Sequence, residues 1–564
     1  MKYKNWEICG FKRETAVEFC KNGLNPLVSV FLASRGIDNM DGARVMTGDT
    51  SGEIHDPMLL ADMEKAVLRI ENAIAGGERI AVYGDYDVDG MTSCAIMALW
   101  LESKRADYEI YIPDRQNEGY GLNIPAIDAL KSRGASLIIT VDCGVTALAE
   151  AEYVKNIGVD LVITDHHECR AQLPEAVAVV DPKRPDCKYP YKYLAGVGVV
   201  YKLICALEKG TGWQEVISLY GDLVAIGTIA DVMPMNGENR DLIKLGLIAL
   251  NDKPRPGIIQ LLREICPELS KVSASTVGFM LAPRLNAAGR MGQAELSLEF
   301  LLADDMDEGE RLSGELCRLN NERRLLETSI YEDAIAMLPK PVPDEPIIIA
   351  GRGWSQGVTG IVAARLADRY KLPSVVISID EDGIGRGSCR SFGEFGLYQA
   401  IISCEDILIR YGGHETASGV TIAEENIAEF RRRIIETYKE NYRSVFEPRL
   451  RIDFEVQKSE LLTITNIEAL ACLEPFGNSN PLPSLCIMDA QLTYLQSIGD
   501  GKHTRLKILK SGKRLDCIYF SVSADSLGVS EGMQIDIAFE PQVNVFKGRS
   551  NVQLNVLDLR PTGN

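Results

Sequence analysis

The sequence predicts a multidomain protein: a parallel-sheet α/β domain with a helical insert, a long connecting helix, a second α/β domain and a C-terminal β-barrel. Three observations carry this reading. From residue 79, short apolar runs alternate with helix-like segments, the pattern of strands buried on both faces and joined by helical crossovers. The alternation starts afresh at 347, after the breaker-rich stretch 340–346. From about 450 it gives way to short alternating strands, which is barrel patterning. At 564 residues the chain is also too long for one core.

In order, residues 1–75 form an N-terminal segment of mixed polarity. A first domain spans 76–303, with strands at 80–83, 110–112, 137–141, 161–163 and 177–180 and helices near 92–101 and 147–156. Its part from 192 to 301 is mainly helical, interrupted by Pro254, Pro256 and Gly257. In 304–345, Leu312, Leu316, Leu319, Leu326 and Ile330 mark one face of a long helix that runs into the Pro-rich linker. The second α/β domain, 346–445, starts with a strand at 347–350, a Gly-rich turn, a helix near 358–370 and a strand at 374–379. Strands at 450–456, 485–495, 504–509, 515–520, 534–539 and 552–559 make up the last domain, 449–564.

Composition narrows the function. No run approaches the roughly 20 apolar residues of a membrane helix, and residues 1–20 lack an apolar leader core. No membrane partner is expected, and a cytoplasmic location is. The 14 cysteines include no C-x-x-C pair, which points to reduced, packed thiols. A net charge of −20 argues against a general nucleic-acid coat, although it leaves room for a local basic channel.

The chemistry lies at the strand ends, where open α/β sheets bind ligands. Tyr83-Gly-Asp-Tyr-Asp-Val-Asp-Gly90 puts Asp85, Asp87 and Asp89 directly after a strand. Alternate carboxylates within one turn repel, and a cation offsets that repulsion. An EF-hand loop shares D-x-D-x-D-G but requires a Glu where Ile96 stands, and a helix rather than a strand before it. Asp142 follows another strand, Asp165-His166-His167 a third, and Asp231 lies in Ile229-Ala-Asp-Val232. A lone Asp after a strand is usually a cap, and Asp165 reads as a structural residue or an orienter of a histidine. The paired histidines are harder to dismiss, since the chain has only five. Imidazole with carboxylate suits Mn²⁺ and tolerates Mg²⁺ or Zn²⁺.

The blocks GDYDVDG, VDCG, DHH and IADV occur in the order found in the DHH phosphoesterases, which this chain resembles. Beyond them, Arg284-Leu-Asn-Ala-Ala-Gly-Arg290, the Gly-rich segment 353–360, Gly387-Ser-Cys-Arg-Ser391, Gly412-Gly-His414, Leu473-Glu-Pro-Phe-Gly477 and the tail 553–560 resemble the RecJ-type nucleases. The resemblance implies a DHH domain, a DHHA1 domain and an OB-fold. It implies two Mn²⁺ or Mg²⁺ ions held by Asp87, Asp89, Asp142, His166 and Asp231, with Asp142 bridging, Asp85 assisting and His167 either contacting the scissile phosphate or supporting a ligand. The implied activity is 5′-to-3′ hydrolysis of single-stranded DNA to nucleoside monophosphates, in repair and recombination, by a monomer working with a RecQ-type helicase and single-strand-binding protein.

On the same basis Arg115, Arg284 and Arg290 are phosphate contacts, and Ser388 and Arg390, in a Gly-rich turn, form a pocket for the 5′ phosphate. His414 fits either a DNA contact or a tight turn. In the barrel, Lys502, Arg505 and Lys507 lie on a basic strand, with Lys513, Arg514, Lys547 and Arg549 nearby. The chain departs from the family where Tyr83 and Ser355 stand in place of a frequent His. A phosphodiesterase for short oligonucleotides or cyclic dinucleotides shares the motifs but needs only the two α/β domains. A non-catalytic DNA-binding scaffold would have lost metal ligands, all of which are present here.

Overall fold

The computed structural model describes residues 3, 5–48, 54–115, 118–441, 449–546 and 548–563. The chain forms two compact units, one of Ile54–Phe446 and one joining Met1–Glu53 to Glu447–Asn564. The stretch 1–75, read from sequence as one segment, is therefore divided at Glu53.

In the larger unit, five parallel strands lie side by side in the order Tyr108–Tyr111, Arg79–Tyr83, Ala135–Val141, Asp160–Thr164, Ala178–Val180. The alternation explains the burial. Ile80 and Val82 pack on one face, Ala81 and Tyr83 on the other, and all four are fully buried. From Arg79–Tyr83 the chain goes first to one side of the sheet and then to the other. The crevice between this strand and Ala135–Val141 is therefore the switch point where such sheets bind ligands. The acidic motifs follow these two strands.

The helical insert closes over the crevice. Gly196, the first residue of the helix Gly196–Leu207, meets Asp142 so closely that a Cβ there would lie 2.5 Å from Asp142 Oδ1. The helix Trp213–Ala230 ends at Asp231. Pro256 starts the helix Pro256–Ile265 instead of merely breaking one. The connecting helix runs from Met306 to Met337.

The second α/β part is a mixed sheet. Ile347–Arg352 and Ser374–Ile379 are parallel, and Ile384–Arg390, Ala417–Ala423 and Leu408–Gly413 follow antiparallel. Ser388 and Arg390 thus lie on a strand, not in the expected Gly-rich turn. The sheet explains the glycines: a Cβ on Gly387 would lie 2.8 Å from Val420 Cγ2.

In the smaller unit the strands Phe454–Glu455, Leu485–Ile498, His503–Lys510, Lys513–Tyr519, Arg549–Pro561 and Gln534–Phe546 are neighbours in that order. Pairing of Leu485–Ile498 with Gln534–Phe546 closes the barrel. Phe19, Leu27, Phe31 and Leu32, from the helices Arg13–Lys21 and Pro26–Ser34, share a core with barrel residues such as Leu485 and Ile537. Arg35 fastens them, 2.9 Å from Asp453. Among the described residues, no helix is long and apolar enough to cross a membrane.

Candidate metal centre and adjoining pocket

Each strand end delivers its acid by a local device. Asp87 caps the helix Val88–Ser103, accepting from the amides of Asp89 and Gly90. Asp89 then projects from the first turn and accepts from the amides of Gly196 and Val197 at 2.7 and 2.8 Å. Asp142 leaves its strand with φ at +60°, a region that Asp tolerates better than most residues. Asp165 takes the amides of Val145, His166 and His167, and its Oδ1 lies 2.7 Å from His167 Nδ1. It orients the two histidines and turns both oxygens to them and to the backbone.

Among the described residues three donor sets result, each with its ligand atoms within 4.8 Å of one another: Asp85, Asp87 and Asp142; Asp89, His166 and Asp231; Asp142, His166 and His167. Asp142 belongs to two of them. His166 Nε2 lies 3.1 Å from Asp142 Oδ1, 3.6 Å from Asp231 Oδ2 and 3.8 Å from Asp89 Oδ2. Asp85 Oδ1, Asp142 Oδ1 and Asp231 Oδ2 are buried and, among the described residues, find no hydrogen-bond donor. Buried carboxylate oxygens without donors are costly unless a cation faces them. The donor set therefore fits hard divalent ions with one imidazole partner. A fourth acidic group, Asp304, Asp305 and Glu308, is exposed. It is a helix cap, with Asp305 accepting from the Glu308 amide.

The electrostatics agree. Burial and the neighbouring Asp87 push Asp85 well above the usual carboxylate range and Asp89 up to about 7. Burial and the surrounding acids likewise raise Asp142 and Asp231. Burial and the adjacent His167 hold His166 down at about 3, leaving it neutral with a lone pair to give. Burial works against charge on His167 and Asp165, but their pairing wins, lifting His167 to about 9 and lowering Asp165 to about 2.

Beside the acids lies a small pocket of about 140 Å³, lined by Tyr86, Arg115, Gln356, Gly357, Thr359, Arg386 and Ser388. The Arg115 guanidinium stands 4.8 Å over the Tyr86 ring. Ser388 Oγ is 3.1 Å from Thr359 Oγ1, and Arg290 donates to the Gly357 carbonyl at 3.2 Å. A Cβ on Gly360 would meet Arg390 Nη2 at 3.2 Å, so that guanidinium borders the same place. Burial, with Arg115, Arg323 and Arg390 close by, brings Arg290 down to about 9. Burial also lowers Arg390. Crowded, desolvated guanidinium groups call for an anion.

The expected phosphate contacts fare unevenly. Arg115, Arg290, Ser388 and Arg390 come together. Arg284 does not line the pocket and donates to the Met280 carbonyl one turn back along the chain. His414 sits in the turn between two strands, with Nδ1 2.9 Å from Thr416 Oγ1. Burial lowers its pKa, as do the nearby cations Arg390, His167 and Lys183. Arg323 and Tyr120 are residues at the site that the sequence alone does not single out. Tyr120 bears a visible signal, since it ends the segment that carries Arg115, whereas Arg323 looks like any helix-surface ion pair.

In the barrel unit, Lys502, Arg505 and Lys507 lie on or beside the strand His503–Lys510. Arg505 and Lys507 are each 3.6 Å from Asp516, which partly offsets them. Lys507 Nζ is 5.8 Å from the Tyr494 ring. Lys513 is turned inward, donating to the Leu462 carbonyl at 2.8 Å. Arg514 and Arg549 are exposed, and Lys547 lies outside the described residues.

Comparison with known proteins adds the following. Residues 79–228 match the DHH family N-terminal domain, 344–440 the DHHA1 domain and 452–558 the RecJ OB domain. The single-stranded-DNA-specific exonuclease RecJ of Bacillus subtilis (strain 168) is 39% identical over 539 residues, covering 95% of this chain and 68% of that protein. The crystal structure of RecJ from Thermus thermophilus in complex with Mn²⁺ aligns with a TM-score of 0.83 at 28% identity, over 99% of this chain and 80% of that one. The same protein's complex with Mg²⁺ aligns at 0.78 and 26% identity, over 99% and 79% of the two chains.

Proposed function

The chain belongs to the RecJ family of single-stranded-DNA-specific exonucleases, and on that premise we propose that it hydrolyses single-stranded DNA from the 5′ end to nucleoside 5′-monophosphates. The observation that carries the proposal is the convergence of strand-end donors on Asp142, with undonated buried oxygens, beside a pocket of crowded guanidinium groups.

In this reading Asp85, Asp87, Asp89, Asp142, His166 and Asp231 would hold two divalent cations, Mn²⁺ or Mg²⁺, with Asp142 common to two of the donor sets. Such ions, when bound, acidify water and offset charge that builds on the phosphoryl oxygens. The protein's own side chains orient everything else. Asp165 orients both histidines and keeps His167 cationic beside the scissile phosphate, while burial and that neighbouring charge keep His166 neutral. Arg115, Arg290, Arg390 and the Ser388 hydroxyl hold the terminal phosphate, which sets the distance from the strand's end to the bond cut. His414 faces the same strand. Arg284 is left out of this assignment, because its guanidinium serves the backbone one turn back. Lys502, Arg505 and Lys507 give the barrel a surface for the strand's more distant phosphates.

Such an enzyme acts in repair and recombination in the cytoplasm, as a monomer, on strands opened by a RecQ-type helicase and covered by single-strand-binding protein. The test is digestion of single strands labelled at either end, with Mn²⁺. Early release of the 5′ label as a mononucleotide is expected. First release from the 3′ end, or a strong preference for a dinucleotide over a long strand, would overturn the reading.

A further inference from the structure

Tyr83 ends the strand Arg79–Tyr83, two residues before the first of the clustered acids. It points elsewhere. Fully buried, Tyr83 donates to the Gly121 carbonyl at 3.0 Å and accepts from Asn123 Nδ2 at 3.1 Å. Both bonds hold the hydroxyl on residues 121 and 123 rather than on the acids. The ring lies 5.2 Å from that of Tyr111, on the neighbouring strand.

A second anchor lies close by. Glu118 Oε2 accepts from Asn123 Nδ2 at 2.8 Å and from the Tyr111 hydroxyl at 2.7 Å, and its Oε1 accepts from the Asp114 amide at 2.9 Å. The Glu118 amide returns a bond to the Asp114 carbonyl at 2.8 Å. One carboxylate thus ties the strand end, the outgoing limb at Asp114 and the returning limb at Asn123, which also caps the helix Ile124–Ser132.

The two limbs carry the side chains that reach the site. Arg115 lies over Tyr86 and lines the anion pocket. Tyr120 reaches the other way: its hydroxyl is 3.1 Å from His167 Nδ1 and 3.4 Å from the Asp142 carbonyl oxygen, with the Tyr120 and His167 rings 5.6 Å apart. His167 Nδ1 is shared with Asp165, so the Tyr120 oxygen is a second acceptor that restrains the imidazole.

We propose that Tyr83 and Glu118 are positioning residues, which clamp the limbs Pro113–Arg115 and Glu118–Asn123 so that Arg115 is set in the terminal-phosphate pocket and Tyr120 against His167. The proposal rests on the functional reading above for the roles of Arg115 and His167. It makes Tyr83 an anchor for substrate-facing groups rather than a part of the metal site.

The test compares the full chain with Tyr83→Phe, which keeps the ring and removes one hydroxyl. Without metal, amide exchange over residues 118–123 is expected to quicken about tenfold, the net worth of one hydrogen bond, while the strands Arg79–Tyr83 and Ala135–Val141 stay protected. With Mn²⁺ and a 5′-phosphorylated strand, kcat/KM is expected to fall about two- to tenfold, with KM raised through Arg115 and kcat lowered through Tyr120. The KM effect should vanish in an Arg115→Ala background, because Tyr83 acts through Arg115. Unchanged exchange at 118–123, or a KM effect that simply adds to that of Arg115→Ala, overturns the proposal. Should Tyr83→Phe fail to fold, Glu118→Gln is read by the same two measures. A parent protein that leaves single strands intact would refute the functional reading alone, since the exchange measurement still judges the clamp.

Discussion

Asp142→Asn separates the metal centre from the fold. The substitution keeps the shape of the side chain beside Gly196, where a Cβ would already lie 2.5 Å from Asp142 Oδ1. Two of the three donor sets contain Asp142, and the third, Asp89 with His166 and Asp231, does not. The variant should therefore hold one Mn²⁺ where the parent holds two. At a hundredfold excess over Kd each site adds about 2.7 kcal/mol to stability, so the Mn²⁺-dependent gain should fall from about 5.4 to about 2.7 kcal/mol. Without metal the sign reverses. Burial and four neighbouring acids hold the Asp142 carboxyl above its ordinary value, so its share of metal-free stability is lost as pH rises past the unfolded pKa. Asn carries no such cost, and the metal-free variant should melt higher than the parent at neutral pH. Calorimetric titration with Mn²⁺ and thermal melts with and without the ion provide the measurement. Two retained ions, or a metal-free melt below the parent's, would refute the shared-ligand argument. Hydrolysis should drop at least about a hundredfold, given that even supporting groups around a metal are worth about 10–100-fold.

Arg390→Ala should weaken the preference for a 5′-phosphorylated end over a 5′-hydroxyl end, measured as the ratio of kcat/KM on the two strands, with little change on the hydroxyl strand. Gly357→Ala puts a methyl 2.0 Å from the Arg290 carbonyl oxygen, and strain of about 1–3 kcal/mol should appear as a lower melting temperature and a raised KM. Asp516→Asn frees Arg505 and Lys507 from their partial neutralisation. It should tighten single-strand binding and steepen its dependence on salt, read by fluorescence anisotropy at several salt concentrations.

The acids at the strand ends were legible because their signal is local: a buried run of apolar residues, then carboxylates at fixed spacing, on elements whose period announces a parallel sheet. The barrel was legible for the same reason. Features made by distant parts of the chain were not. Nothing around Phe19 or Phe31 says that residues 454–559 complete their core, and Arg35 meets Asp453 at a sequence separation of 418. Glycine misled at 385–387, where alternate glycines read as a turn yet make room in a strand for Ile377, Val420 and Ile422. Arg323 was hidden by its Glu327 partner one helical turn away, the usual look of a surface pair. Tyr83 could be flagged as unusual, but its direction depends on Asn123 and Gly121, which the fold alone brings near.

The net charge of −20 poses the question of how so acidic a chain takes up DNA. Its two sites resolve it, since each holds a surplus that the other does not cancel. Asp85 stays above its ordinary value although His167 and Arg115 are beside it, and Arg290 stays below its own although Asp87 is near. Burial dominates on both sides, so the acids still call for cations and the guanidinium groups still call for an anion. In the proposed reading, the terminal phosphate of a strand would satisfy the second demand, and divalent ions near its scissile phosphate would satisfy the first. Metal and strand therefore favour each other's binding, because each removes charge repulsion that the other would otherwise meet. The overall charge adds little against this, since at about 0.15 M salt exposed charges more than about 8 Å apart are largely screened.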